Sequence, residues 1–262
     1  MTIRLITAAI IAAGLFALPA AAQLPRPGKD AAPKAAQKAP AAAKQQQPYA
    51  AVAVTAPKPS TDAELAAFRK ELAAVAGRKD RAALAKMVVD KDFFWMKEKD
   101  AANKKKSGID NLASALNLAA KDGAGWDSLA DLAADQTAAP LADRKGVVCG
   151  PAKPEFSRAD VEKLAQATKT EMSDWGYPTS DGLEVRETAA ANAPVVEKLG
   201  MTLIRVVQDK SPKAGQDFVQ VVAPSGKSGF VAANAIRPLA VDQLCYVKDG
   251  GAWKIAGYIG GD

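Results

Sequence analysis

Gly182-Leu-Glu-Val-Arg186, Phe218-Val-Gln-Val-Val222 and Ser225-Gly-Lys-Ser-Gly229-Phe-Val231 are the stretches that decide the fold. Leu183 and Val185 alternate with Glu184 and Arg186, the period of two that a strand with one buried face imposes. Between these stretches, Val195, Val196 and Leu199 run into a turn at Gly200. Phe218, Val219 and Val221 precede Ala223-Pro-Ser-Gly226, a hairpin turn. Gly229-Phe230-Val231 gives the last long strand before Ile236 and Pro238. Five short strands in about 60 residues predict a small β-barrel.

Upstream the period is that of a helix. Thr61-Asp-Ala-Glu64 reads as a capping box, Leu65, Phe68, Leu72 and Val75 follow at helical spacing, and Gly77 closes the run. Asp80 caps a second helix with Leu84, Met87 and Val88. Ser107 caps a third with Ile109, Leu112, Leu116 and Leu118, and Trp126, Leu129 and Leu132 form a fourth. Asp92-Phe-Phe-Trp-Met96 reads as a short buried strand, and Phe93, Phe94, Trp95 and Trp126 as core aromatics. Residues 60–138 are thus a helical domain. Residues 139–177 are a connector with a short helix after Ser157, carrying Val161 and Leu164. Residues 178–262 hold the barrel and a C-terminal hairpin, Gln243 to Lys248 and Ala252 to Ile259 around Asp249-Gly-Gly. The fold class is α+β.

The N-terminus is expected to be a secretory signal over residues 1–22: Arg4, an apolar run from Leu5 to Leu18, Pro19, then Ala20-Ala-Ala22. The alternative is a membrane anchor, but the run is shorter than the ~20 residues that span a bilayer. Residues 23–59, rich in Ala, Pro, Lys and Gln, read as a disordered tether. It is either a plain spacer or a basic arm for anionic lipid, lipopolysaccharide or wall polymer. The overall +6 divides as +1 in the leader and +5 in this tract, which leaves residues 60–262 neutral. That argues against a nucleic-acid partner, because a nucleic-acid-binding domain carries its own basic face. Lys104-Lys105-Lys106 reads as a solvated loop.

In an oxidising compartment Cys149 and Cys245 are expected to pair, with two free thiols as the alternative. The chain has no histidine. Ser-His-Asp and Cys-His catalysis are therefore excluded, as are histidine-ligated zinc enzymes. No cofactor and no metal are expected. Asp90, Asp92, Glu98 and Asp100 are the acids nearest the aromatics and could serve a carboxylate-dependent enzyme. On an extended strand, however, Asp92 and Glu98 lie about 20 Å apart, too far for a paired acid and base.

The stretches from Gly182 to Arg186, Ala190 to Gly200, Leu203 to Val206, Phe218 to Val222 and Ser225 to Val231 together resemble the bacterial SH3 (SH3b) domain, over roughly residues 181–240. The chain as a whole is similar to secreted SH3-domain proteins of Gram-negative bacteria. Its Ala252-Trp-Lys-Ile255 ending is similar to the last strand of NTF2-like proteins. The resemblance implies a periplasmic or secreted, non-catalytic binding module for peptidoglycan peptide or an envelope protein. The alternatives are a structural or inhibitory partner of another envelope protein and a carboxylate-dependent enzyme. Stable membrane insertion after signal cleavage is not expected. SH3b domains carry a groove of exposed aromatics; here it would be Phe230 with Trp175 and Tyr177 in a turn just upstream, and Arg186 to pair a peptide carboxylate.

Overall fold

A computed structural model describes residues 46–97, 101–207 and 217–260. The expected signal, the first part of the tether, Glu98 and Asp100 lie outside the described residues. The chain enters through β1 (Val54–Thr55) and turns into α1 (Ala63–Gly77). The cap is Asp62, one residue beyond Thr61, because its carboxylate reaches the Leu65 amide at 2.8 Å. Asp80 and Ser107 cap α2 (Arg81–Lys86) and α3 (Gly108–Ala115), and α4 (Ala124–Ala134) starts at a left-handed Gly123. Between α2 and α3 lies β2 (Phe94–Met96). The strands β3 (Ala139–Pro140), β4 (Val148–Gly150) and β5 (Glu155–Phe156) lead to α5 (Arg158–Thr168), capped by Ser157. The remainder is strand-rich: β6 (Trp175–Pro178), β7 (Leu183–Arg186), β8 (Val195–Leu199), β9 (Ile204–Val206), β10 (Phe218–Val222), β11 (Ser228–Ala232), β12 (Ile236–Pro238), β13 (Gln243–Asp249) and β14 (Ala252–Ile259). The fold is α+β.

The strands form two main sheets. One runs β2-β14-β13-β4-β3. Its inner pair is the C-terminal hairpin, and α1, α3 and α4 cover it. Leu65, Leu72, Leu84, Leu112 and Leu129 share one core with Leu244, Tyr246 and Ile255. The hairpin, grouped by sequence order with the barrel, therefore packs with the helices. The reason is amphipathicity: neither the helical stripe nor the alternating hairpin can hide its apolar side alone. At Gly257 a Cβ would stand 2.5 Å from the Phe94 ring, so β14 passes flush over the aromatic of β2. Cys245 on β13 lies opposite Cys149 on β4, and the two are bonded as a disulfide across 96 positions of sequence.

The other sheet runs β12-β6-β9-β10-β11-β7-β8. Leu183, Val185, Leu199, Ile204, Val221, Val231 and Ile236 form its own apolar cluster. All members come from this segment, whose own strands take them out of water. Its outer face carries a second cluster, with Trp175, Tyr177, Leu203, Val161 and Leu164 beneath Val52 and Val54. Residues 46–59, expected in the tether, are thus packed from Gln46 onward. The apolar side chains of Tyr49, Val52 and Val54 hold them there.

A buried arginine joins the two layers. Arg69 on α1 donates from Nη1 to the Asp135 and Thr137 carbonyls at 2.7 and 2.9 Å, and its guanidinium lies 4.7 Å from the Tyr246 ring centre. The Asp135 carboxylate in turn pairs with Arg237 of β12 at 3.2 Å.

Candidate functional site

The four residues marked by the sequence do not come together. Trp175 and Tyr177 were expected in a turn within reach of the surface. They are instead strand residues of β6, 0% and 6% exposed. The indole Nε1 donates to Thr170 Oγ1 at 2.9 Å. Above it the Tyr49 ring stands edge-on at 5.1 Å, and the Tyr49 hydroxyl donates to the Val222 carbonyl at 2.7 Å and accepts from the Arg205 amide at 3.2 Å. Burial holds the Tyr49 and Tyr177 hydroxyls well above the usual tyrosine range.

Arg186 and Phe230 face each other across β7 and β11, which stand four and three strands from β6 in the sheet order. The guanidinium is already engaged: Nη1 donates to the Ala193 carbonyl at 2.8 Å and Nη2 to Glu184 at 2.6 Å, which closes the β7–β8 loop. Gly229 leaves no open space beside Phe230, since a Cβ there would meet Val185 Cγ1 at 2.5 Å and the Arg186 carbonyl at 2.6 Å. A missing side chain lets β11 approach β7 and makes no groove.

Residues 46–55 themselves lie along the sheet as an extended strap. Gln46 and Tyr49 donate to the Gly226 and Pro224 carbonyls, Leu203 donates to Val52, Val54 donates to Met201, and β1 pairs with β5. This is strand addition in cis, with Tyr49 as the aromatic anchor.

Comparison with known proteins returned no matching family model, no similar curated protein and no similar solved structure.

A concave site lies elsewhere, where α5 meets the segment between β12 and β13. A cleft of about 430 Å³ opens there. Its floor is Phe156, Val161, Ala165 and Leu239, and Met172 stands at its mouth, 36% exposed. Lys153, Arg158, Glu162 and Glu171 line it as well and give it both signs of charge. The turn residues and the single Phe156 gave this cleft no sequence signal; only the Ser157 cap of α5 could have pointed to it. Among the described residues no group of acids, cysteines or histidines could hold a metal, and no helix is long and apolar enough to cross a membrane.

Proposed function

We propose that this protein is a non-catalytic binding module of the cell envelope, working outside the cytoplasm, which takes an extended peptide in the α5 cleft. The ligand class is a peptidoglycan stem peptide or a segment of an envelope protein. The observation that carries the reading is the cleft: an apolar floor bordered by lysine, arginine and glutamate side chains suits a short peptide bearing both charges. Two further features support it. The neighbouring sheet face accepts extended chain, as its own strap demonstrates, with backbone hydrogen bonds and one aromatic anchor. Strands β7 to β12 fall within the segment that resembles SH3b, and their sheet encloses a core of its own, as a small barrel would. The disulfide suits an oxidising compartment.

Co-sedimentation with purified sacculi tests the reading. The protein is expected to pellet with them, to be displaced by stem peptides, and to release no muropeptides. Ala165→Trp fills the cleft from a half-buried helix position. It should abolish pelleting while the melting temperature is kept. Pelleting that survives Ala165→Trp removes the cleft from the argument. Failure to pellet at all, with a stable complex to an envelope protein, favours the structural-partner alternative.

A further inference from the structure

A second site lies on the opposite kind of surface, polar and cationic, beside β2. Two adjoining depressions of about 460 and 500 Å³ share Asp90, Lys91, Asp92, Phe94 and Arg144. Lys104 and Lys106 complete the first. We propose that this groove binds a dianionic phosphate group, as a phosphomonoester or a pyrophosphate, with Arg144 as its central contact.

Arg144 is built for the task. Its guanidinium carbon lies over the Phe94 ring, 4.1 Å from the centre, so the ring holds the head group in place. Its backbone is held in the turn between β3 and β4, where its amide donates to Leu141 and its carbonyl accepts from Val147. Among the described residues its side chain makes no ion pair and no hydrogen bond. A guanidinium held over a ring with its N–H donors unused presents a planar fork, the geometry that reads two phosphate oxygens at once.

The lysines are placed with equal care. Asn111, 4% exposed, donates from Nδ2 to the Asn103, Lys106 and Ser107 carbonyls and accepts from the Asn103 amide at 2.7 Å. One buried amide thus fixes the loop that carries Lys104 and Lys106. Read alone, Lys104-Lys105-Lys106 is a solvated loop. The fold brings Lys91 and Arg144, distant in sequence, to the same groove. Among the described lining residues, Lys91, Lys104, Lys106 and Arg144 stand against Asp90 and Asp92, a surplus of +2. A lone carboxylate would leave charge unbalanced, whereas a phosphate dianion cancels it. The sheet-ward end adds nothing, because Lys248 is paired with Glu64 and Asp249 with Lys254.

The probes are inorganic pyrophosphate, followed by titration calorimetry, and vesicles of phosphatidylcholine with and without phosphatidic acid, whose headgroup is a phosphomonoester, followed by co-flotation. Saturable binding is expected, weakened about tenfold by Arg144→Gln and again by Lys104→Ser with Lys106→Ser. Both lysines are exposed, so the double variant keeps the fold. Pyrophosphate binding assigns a soluble phosphate. Binding confined to the phosphatidic acid vesicles assigns a lipid headgroup. No saturable binding to either probe would overturn the proposal. So would binding indifferent to both variants and lost when Lys29, Lys34, Lys38 and Lys44 are changed to serine, since the basic tract would then account for it.

Discussion

Tyr49→Ala should release the strap while leaving the rest of the fold standing. The side chain contributes two hydrogen bonds, to the Val222 carbonyl and from the Arg205 amide, and an edge-on contact with Trp175. Two such bonds are worth about 0.5–1.5 kcal/mol each, and the aromatic pair roughly as much as one of them. With the half-buried ring added, the loss is about 3 kcal/mol. The seven-stranded sheet keeps its own core, so the change acts on local opening and not on global unfolding. Amide exchange reads it directly. The Val54 amide, bonded to Met201, and the Leu203 amide, bonded to Val52, should exchange roughly a hundredfold faster, which is what about 3 kcal/mol gives at 1.4 kcal/mol per decade. Val221 in the sheet core should not change. Tyr49→Phe, which removes only the hydroxyl, should give about a tenfold effect. If Val54 and Leu203 in Tyr49→Ala exchange within about threefold of the parent, the anchor reasoning is refuted.

Replacing Cys149 and Cys245 by serine should cost roughly 2–4 kcal/mol in urea unfolding, below the chain-entropy value for so long a loop; an unchanged midpoint contradicts this. Gly257→Ala should destabilise by about 1–3 kcal/mol through its clash with Phe94, whereas Gly77→Ala, with nothing within 4 Å, should be neutral or stabilising; equal melting temperatures for the two would remove the packing argument. Burial raises the hydroxyls of Tyr49, Tyr177, Tyr246 and Tyr258, the last also through its hydrogen bond with Asp242. The folded state then holds these protons more tightly than the unfolded chain. Stability is full below about pH 10 and falls as pH rises past it, while the unfolded chain ionises first. Phenolate absorbance in alkaline titration should appear together with unfolding; four tyrosines ionising near pH 10 in intact protein would contradict it.

Helix starts were legible because a cap is a local event. Asp80, Ser107 and Ser157 each reach an amide three residues on, and no distant residue takes part. The long alternating strands and the Gly250-Gly251 turn were legible for the same reason. What escaped was decided at long range. The alternation of Trp175, Gly176 and Tyr177 is too short to announce β6, which exists because Arg205 and Arg237 offer backbone partners on either side. The strap was hidden in a biased tract, where three apolar side chains outweigh the composition around them. The marked site failed at Arg186 because a guanidinium that can reach a ligand can also reach Glu184 and Ala193. Arg144 drew no notice because its partner ring lies 50 positions away.

The disulfide also decides how the molecule answers a pull. Cys149 and Cys245 face each other, so residues 150–244 leave the helix-covered sheet and return to it at one place. Tension along the backbone crosses from β4 to β13 through the sulfurs and bypasses everything between. The seven-stranded sheet stays off the line of force, and roughly 320 Å of contour length stays stored in the loop of 96 positions. A tug from the N-terminal side peels the strap first and then draws on α1. Reduction would put that whole segment in series with the rest, lengthening a stretched molecule by that amount.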